Sequence, residues 1–159
     1  EAEALIAPLV GRYGETWRKG VVASQLPEPA HRPLANGGFQ VAVTAFIATL
    51  VARGVRTVVI TMGRHGALLH SGKALHFCPA APVDSPAGTA GAGDAFASTL
   101  SAFLAGGSSC DVALCAAAVN AAAVIGHTDT QTGLLTAARL ESRLRETDAC
   151  KSVLSWPVD

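Results

Sequence analysis

Apolar residues recur at the spacing of one helix face in three of the five segments that predict helices in this 159-residue chain. The clearest segment covers residues 40–53, where Phe46, Ile47 and Leu50 fall on one face and Gly54 supplies a stop signal. Small alanine side chains dominate another of these segments and favour close helix packing. The predicted helices cover residues 1–10, 40–53, 92–104, 109–124 and 135–145.

A continuous run of β-branched residues follows the second helix. Residues 57–60 have the sequence Thr-Val-Val-Ile, which is typical of a strand buried in a parallel sheet. Residues 66–69 and 74–78, joined through Ser-Gly-Lys, predict a β-hairpin. Residues 21–23 predict a short strand, and residues 27–38, with three prolines, predict a loop. A helix, a glycine and a buried strand form half of a βαβ unit, so we expect an α/β fold.

Composition allows a packed core and excludes several classes of partner. Half of the residues are apolar and 15% are charged, which argues against disorder. Twelve basic and twelve acidic side chains cancel, so no global field attracts nucleic acid or an anionic membrane. The length fits one domain. Because no signal segment or membrane-length apolar run is present in the sequence, we expect a cytoplasmic protein.

Cysteine and histidine spacing gives little support to a metal site. The four cysteines form no CxxC pair, and we expect free structural thiols, with a metal or disulfide role as the alternative. The five histidines show no HExxH or paired spacing and are expected to be structural. A metal-dependent hydrolase therefore has no ligand cluster behind it.

A glycine-rich turn, Gly91-Ala92-Gly93-Asp94, enters the third predicted helix. The glycines allow unusual backbone angles and close approach of a ligand, and the first N–H groups of a helix form an anion site. Asp94 adds a carboxylate at the same turn. The combination suits phosphoryl transfer to a hydroxyl. The alternative is a tight strand-to-helix turn with Asp94 as a helix-starting charge; a P-loop is excluded because no Lys-Ser/Thr follows.

Two further segments carry candidate binding residues. Thr61, Gly63 and Gly66 occupy the loop after the buried strand, where α/β sheets bind ligands, although an ordinary loop would have the same composition. Asn120 interrupts the alanine-rich helix at residues 118–123, which is otherwise typical of a packed helix.

The string at residues 88–94 resembles the second signature of the PfkB carbohydrate kinases, roughly Asp-Thr-x-Gly-Ala-Gly-Asp. Residues 61–66 resemble the nucleotide-binding turn of that family, Thr-x-Gly-x-x-Gly, and residues 118–123 are similar to its segment bordering adenine. The resemblance extends from about residue 1 to 145 with the motifs in order. It implies a three-layer α/β/α ribokinase-like sandwich with a mainly parallel sheet, of which this chain is the C-terminal, nucleotide-binding portion in a single domain, 1–159.

The resemblance implies an ATP-dependent phosphotransferase that acts on a hydroxyl of a sugar or nucleoside. Asp94 would be the catalytic base, and the amides of Gly91, Ala92 and Gly93 would form the anion hole. Thr61, Gly63 and Gly66 would line the ATP phosphates, and Asn120 would lie near the base. Glu3, at the acidic end of an Asn-x-x-Glu motif, would act near Mg²⁺.

The sequence departs from the family in two respects. Gly88 stands where the family usually has the Asp that helps to hold a monovalent cation, which puts cation activation in doubt, and Asp84 lies four residues earlier. The chain also has about half the length of a typical member, so the N-terminal half with the lid strands and most sugar contacts is expected to be absent. That half or a second copy of the chain would then be a partner. The alternative function is a non-catalytic nucleotide-binding or interaction module.

Overall fold

The computed structural model describes residues 47, 49–146 and 148–157. The chain forms two compact units, residues 1–58 and residues 59–159. The predicted helix at 1–10, the strand at 21–23 and the loop at 27–38 lie outside the described residues.

The described part of the first unit is the end of the second predicted helix. Residues 49–52 are helical, as predicted, and the helix closes at Gly54, whose φ of 90° is left-handed. The Gly54 amide donates to the Val51 carbonyl (2.8 Å) and the Val55 amide to the Leu50 carbonyl (3.1 Å). These bonds satisfy carbonyls that a helix end otherwise leaves open, so the predicted stop signal is confirmed.

Four strands form one sheet in the order β1-β2-β3-β4. The first three confirm the predicted strand and hairpin, and the two-residue turn of the hairpin places Gly72 at φ 61°. β2 pairs antiparallel with β3, and β3 pairs antiparallel with β4. The strands are β1 (Thr57–Thr61), β2 (Ala67–Ser71), β3 (Ala74–Cys78) and β4 (Leu154–Pro157).

The prediction of a mainly parallel sheet is not confirmed, because both of these pairings are antiparallel. A tight hairpin forces antiparallel pairing of β2 with β3, whereas parallel neighbours need a long crossover. β1 also differs from a strand buried on both faces, because only Val58 and Ile60 are buried and both ends are exposed.

β4 was not predicted, because its four residues, Leu-Ser-Trp-Pro, carry no alternating pattern. A proline cannot donate to a ladder and is tolerated at a strand end or edge, which is where Pro157 lies. Side chains help to hold this strand. Ser155 Oγ donates to Asp111 Oδ1 (2.8 Å), and His76 Nδ1 lies 2.7 Å from that carboxylate and 2.8 Å from the hydroxyl. The structural role predicted for His76 is confirmed.

Three α-helices lie within two residues of their predicted bounds: α1 (Ala92–Ala105), α2 (Cys110–Ile125) and α3 (Ala137–Glu146). Ser109 caps α2, its Oγ accepting from the Val112 amide (3.4 Å). Short 3₁₀ helices at Gly63–His65 and Asp148–Ser152 were not predicted. Within the described ranges, no helix has the length and apolar character that crossing a bilayer requires.

The core of the second unit is built around α2. Its small residues Ala113, Ala116 and Ala117 have no exposed surface, and Leu114 is equally buried. α2 contacts α1, α3, β2 and β3. Side chains that end at Cβ allow neighbouring backbones to approach closely, which explains how one helix can pack against several neighbouring elements.

All four cysteines are free thiols, as predicted, and two of them are part of this core. Burial, followed by the proximity of Cys150 and Asp111, raises the pKa of Cys78 to about 12. Burial, followed by a hydrogen bond with Cys150, raises the pKa of Cys115. The core therefore favours the neutral form of both thiols.

The buried thiols predict a loss of stability in alkali. Their ordinary pKa is 9.0, so only the unfolded chain ionises them just above that pH. The contribution of these thiols to the free energy of unfolding is fully present below pH 9. It falls as the pH rises toward the folded-state pKa, by up to about 1.4 kcal/mol per pH unit for each thiol. Urea unfolding of the full-length protein, followed by circular dichroism from pH 7 to 10, measures this slope.

Cys78→Ala should reduce the slope by about the contribution of one thiol. The comparison of slopes removes the cost of the smaller side chain, which is the same at every pH. A free energy of unfolding that stays flat between pH 8 and 10 would contradict the prediction.

Candidate active site

A cavity of about 610 Å³ opens in the second unit, within the about 300–1,000 Å³ usual for small-molecule sites. It is formed by the turn after β1, by the connector that follows β3, and by facing parts of α1 and α2. Most of its surface is apolar. The lining residues include Thr61, Gly63, Arg64 and Gly66 of the turn, Ala80–Val83 and Pro86 of the connector, Thr89, Ala92, Gly93 and Phe96, and Ala118, Ala121, Ala122 and Ile125.

The turn after β1 brings three predicted residues together. Thr61, Gly63 and Gly66 all line the cavity. The Met62 amide donates to the Gly66 carbonyl (2.8 Å), and the Gly66 amide donates to the Gly63 carbonyl (3.1 Å), which closes a compact loop. Gly66 has φ 96°, and a Cβ there would collide with the Cys78 carbonyl. The sequence requires glycine at this position because backbone from β3 fills the space.

The turn into α1 begins at Gly91, which is the N-cap and has φ 78°. The Ala92 amide donates to the Thr89 carbonyl (3.3 Å), and the Ala95 amide donates to the Gly91 carbonyl (2.9 Å). In the part of the chain that the structure describes, the amides of Gly91, Gly93 and Asp94 have no acceptor. These N–H groups lie at the positive end of a 14-residue helix, which attracts anions.

Asp94 is the third residue of α1 and is exposed. Its carboxylate has no hydrogen-bond partner among the described residues. Ala92 and Gly93 line the cavity, whereas Gly91 and Asp94 are not part of its wall. Asp94 thus lies one residue beyond the cavity wall in the sequence, and its role as a base stays a prediction.

Asn120 differs from the other predicted residues, because it is buried and does not line the cavity. Its Nδ2 donates to Thr99 Oγ1 (2.8 Å), and its Oδ1 accepts from the Leu135 amide (3.0 Å). Its contact with a nucleotide base stays a prediction without support from this geometry. The neighbouring alanines, which the sequence pattern favoured as packing residues, include three that form the cavity wall.

The loop at residues 126–136, which the sequence did not single out, packs against the turn into α1. A Cβ on Gly91 would lie 2.8 Å from the Thr130 Cβ, so these two segments touch at the site. Asp129 Oδ1 accepts from the amides of Gln131 (2.8 Å) and Thr132 (2.7 Å). Hydrogen bonds from Thr132, then from the Gln131 amide, lower the pKa of Asp129 to about 2. The carboxylate is ionised at neutral pH and accepts both amides within the loop.

Asp84 and Gly88, which the sequence analysis connects with a monovalent cation, do not line the cavity. Glu3, the predicted magnesium residue, is outside the described residues. Among those described, no group of three His, Cys, Asp or Glu side chains is arranged to hold a metal ion. Asp84 is exposed on the connector, and Gly88, at the position of the family Asp, donates its amide to the Ile125 carbonyl (3.3 Å). Arg64 is exposed at the cavity wall and is the one strongly basic side chain among the lining residues.

Comparison with protein families shows which family this chain belongs to. Residues 39–137, more than half of the chain, match the model of the pfkB family of carbohydrate kinases. The chain belongs to this family. The matched segment contains both cavity turns and all of α1 and α2, so the resemblance predicted from the motifs is confirmed. Among curated proteins, none matches the chain.

Solved kinases show the same fold. A ribokinase from Cryptococcus neoformans var. grubii serotype A, in complex with ADP, is 25% identical over 70% of this chain and 38% of its own, with a TM-score of 0.57. A nucleoside kinase from Burkholderia thailandensis, in complex with inosine, is 28% identical over 62% and 32%, also at 0.57. Arabidopsis thaliana ribokinase, complexed with ribose and ATP, is 21% identical over 65% and 34%, at 0.61.

These matches confirm a ribokinase-like α/β fold for the matched part of the chain. The chain spans about a third of the length of the solved kinases that it matches. The three-layer arrangement is not confirmed by the described elements.

The contact at Gly66 predicts a position-specific cost for adding one methyl group. Gly66→Ala should destabilise the protein by more than the ~1–2 kcal/mol of a left-handed alanine. The backbone of Gly66 (φ 96°, ψ −152°) lies in a region that is closed to alanine, and the Cβ also meets the Cys78 carbonyl and Pro79. Gly72→Ala is the matched control, since Gly72 has φ 61° with nothing within 4 Å of its Cβ. Thermal unfolding of both variants measures the difference, and equal losses would contradict the steric argument.

Proposed function

We propose that this chain is the nucleotide-binding and catalytic portion of an ATP-dependent kinase that phosphorylates a hydroxyl of a sugar or nucleoside. The observation that carries the proposal is the meeting of the cavity with the start of α1. The unpaired amides of Gly91, Gly93 and Asp94 and the exposed Asp94 carboxylate lie at that one point. Membership of the pfkB family supports it.

In the proposed mechanism Asp94 accepts the proton of the acceptor hydroxyl as the oxygen attacks the γ-phosphorus of ATP. The bond between that phosphorus and the β–γ bridging oxygen breaks, and ADP leaves. Amides at the start of α1 hold the negative charge that develops on the transferred group. Of the predicted anion hole, Gly91 and Gly93 keep free amides, and Asp94 adds a third. The Ala92 amide already donates to Thr89 and contributes less.

Different parts of the cavity lining would contact the phosphates and the base of ATP. Thr61, Gly63 and Gly66 form the polar turn that would contact phosphate oxygens, with Arg64 as a further charged contact. Ala121 and Ala122 form an apolar wall that would contact the base. Solved relatives were determined with ADP and with ATP. Mg²⁺ is the expected cofactor and would neutralise phosphate charge when bound; Glu3 stays its proposed residue.

The remaining architecture is proposed from the family. The sheet would continue through parallel strands into a three-layer α/β/α sandwich, with this chain as one C-terminal domain. The acceptor contacts would come from an N-terminal half or from a second copy of the chain. Ribose and inosine, present in solved relatives, are the acceptors to test first.

A non-catalytic nucleotide-binding module is the second candidate. One observation favours it: every residue that lines the cavity lies between Thr61 and Ile125. A nucleotide could therefore bind to this stretch without any acceptor site being present.

Asp94→Asn in the full-length protein should abolish most of the turnover. The amide keeps the shape of the side chain but cannot accept the proton, so kcat should fall by about a hundredfold or more. The measurement is ADP release with ATP, Mg²⁺ and ribose, fructose or inosine as acceptor. Glu141→Gln is the matched control, because it removes an exposed carboxylate from α3 whose ion pair with Arg145 (3.9 Å) contributes little.

The proposed role of Asp94 fails if the Asn variant retains most of its kcat while the control is unchanged. A loss in both variants would point to a general effect of charge removal instead.

Calorimetric titration with ATP, with and without Mg²⁺, separates the two candidate functions. A kinase should bind ATP and phosphorylate an acceptor. Binding without transfer to any of the three acceptors would support the module, and absence of binding would contradict both.

A further inference from the structure

We propose that Asn120 is a positioning residue for the phosphoryl transfer proposed above, on which this inference rests. Its two hydrogen bonds fix α1, α2 and the loop before α3 relative to one another. The amides at the start of α1 and the cavity wall on α2 therefore keep one spacing. The inference assigns Asn120 a role different from contact with the nucleotide base. This role rests on three groups, namely the side-chain amide of Asn120, the hydroxyl of Thr99 and the backbone amide of Leu135.

The hydrogen bonds of Asn120 lie inside the apolar core. Asn120 is 6% exposed and Thr99 is 7% exposed, and they are two of the three buried polar side chains among the described residues. Nδ2 donates to Thr99 Oγ1 at 2.8 Å, and Oδ1 accepts from the Leu135 amide at 3.0 Å. Both ends of the amide are thus used, and a buried polar group that loses its partner is penalised. Such a contact favours one arrangement of its neighbours.

The three locked elements are those that carry the site. Thr99 lies five residues after Asp94 on the same helix, so it moves with the free amides as one rigid element. Asn120 precedes Ala121 and Ala122, which form the cavity wall on α2. Leu135 closes the loop whose Thr130 touches Gly91. Asn120 therefore connects the phosphoryl end of the site, the base end and the segment behind the first glycine.

Loss of the lock should affect the chemical step more than nucleotide binding. The part of the cavity wall that lies next to Asn120 on α2 is made of the small apolar side chains of Ala118, Ala121 and Ala122, which tolerate a small shift of α1 against α2. In-line transfer demands reacting atoms in near-contact geometry, and a displacement of about 1 Å can cost about a hundredfold in rate. A reduced kcat with a nearly constant KM for ATP is the signature of a positioning residue, whereas a base-contacting residue would raise KM.

The test compares Asn120→Ala, Thr99→Val, Thr99→Ser and the double variant Asn120→Ala/Thr99→Val in the full-length protein. Valine has the shape of threonine but no hydroxyl, and serine keeps the hydroxyl. We measure kcat and KM for ATP with the acceptor that the unmodified protein phosphorylates among ribose, fructose and inosine. The expected result is a kcat lower by about ten- to a hundredfold for Asn120→Ala and Thr99→Val, with KM within about threefold of the original.

Two comparisons exclude a merely structural role. Thr99→Ser should restore kcat, and the double variant should be no slower than the slower single variant, because both changes break the same bond. If Asn120→Ala does not fold, the Thr99→Val and Thr99→Ser pair still decides the matter, since both fill nearly the original volume.

An unchanged kcat in folded Thr99→Val, or a raised KM with unchanged kcat in Asn120→Ala, would overturn the positioning role and leave the proposed kinase function intact. An unmodified protein that transfers phosphate to none of the acceptors contradicts the proposed function itself, and the positioning role with it. The two failures are therefore distinguishable.

Discussion

The close approach of backbones around α2 is the constraint on which the rest of the second unit depends. Alanine side chains let α1, α3 and the hairpin strands pack on one helix, in which Ala113, Ala116 and Ala117 keep no exposed surface. Further along the same helix, the short side chains of Ala118, Ala121 and Ala122 leave room for the cavity. The alanine-rich composition of α2 thus accounts for both the dense core and the cavity. A larger residue on either side of α2 would disturb both the core and the wall of the site.

Glycine contacts extend this constraint from the core to the turns. Gly66 lies against the carbonyl of Cys78, Gly91 against Thr130, and Gly133 against the backbone of Ala123 and Val124. At Gly66 and Gly133 a neighbouring backbone segment occupies the space that a Cβ would fill, and at Gly91 the side chain and backbone of Thr130 do so. At the turn into α1, the amides of Gly91 and Gly93 remain without intramolecular partners among the described residues, and free donors of this kind recognise an anion.

Much of the local structure was predictable because it is encoded by short-range periodicity and turn residues. The helices, the hairpin and the left-handed Gly54 stop follow from spacing alone, and the motif order was sufficient to indicate the family. Long-range features were not predictable in this way. β4 exists through its pairing with β3, and the polar bridge made by Asn120 depends on Thr99 and Leu135 being neighbours in space. Nor does a proline-containing connector such as residues 79–88 show in its sequence which face it presents to a cavity.

β4 joins the sheet through a long-range pairing, whereas β2 and β3 form a local hairpin. β2 and β3 meet across a two-residue turn, whereas Phe77 and its partner Leu154 are 77 positions apart. Closing a loop of that length costs about 4 kcal/mol of chain entropy in the unfolded protein, before any constant term. Four residues and one His-Asp-Ser cluster must offset this cost. β4 is therefore the strand whose formation waits until the helices have brought the distant ends of the chain together, and it completes the sheet as a late event of folding.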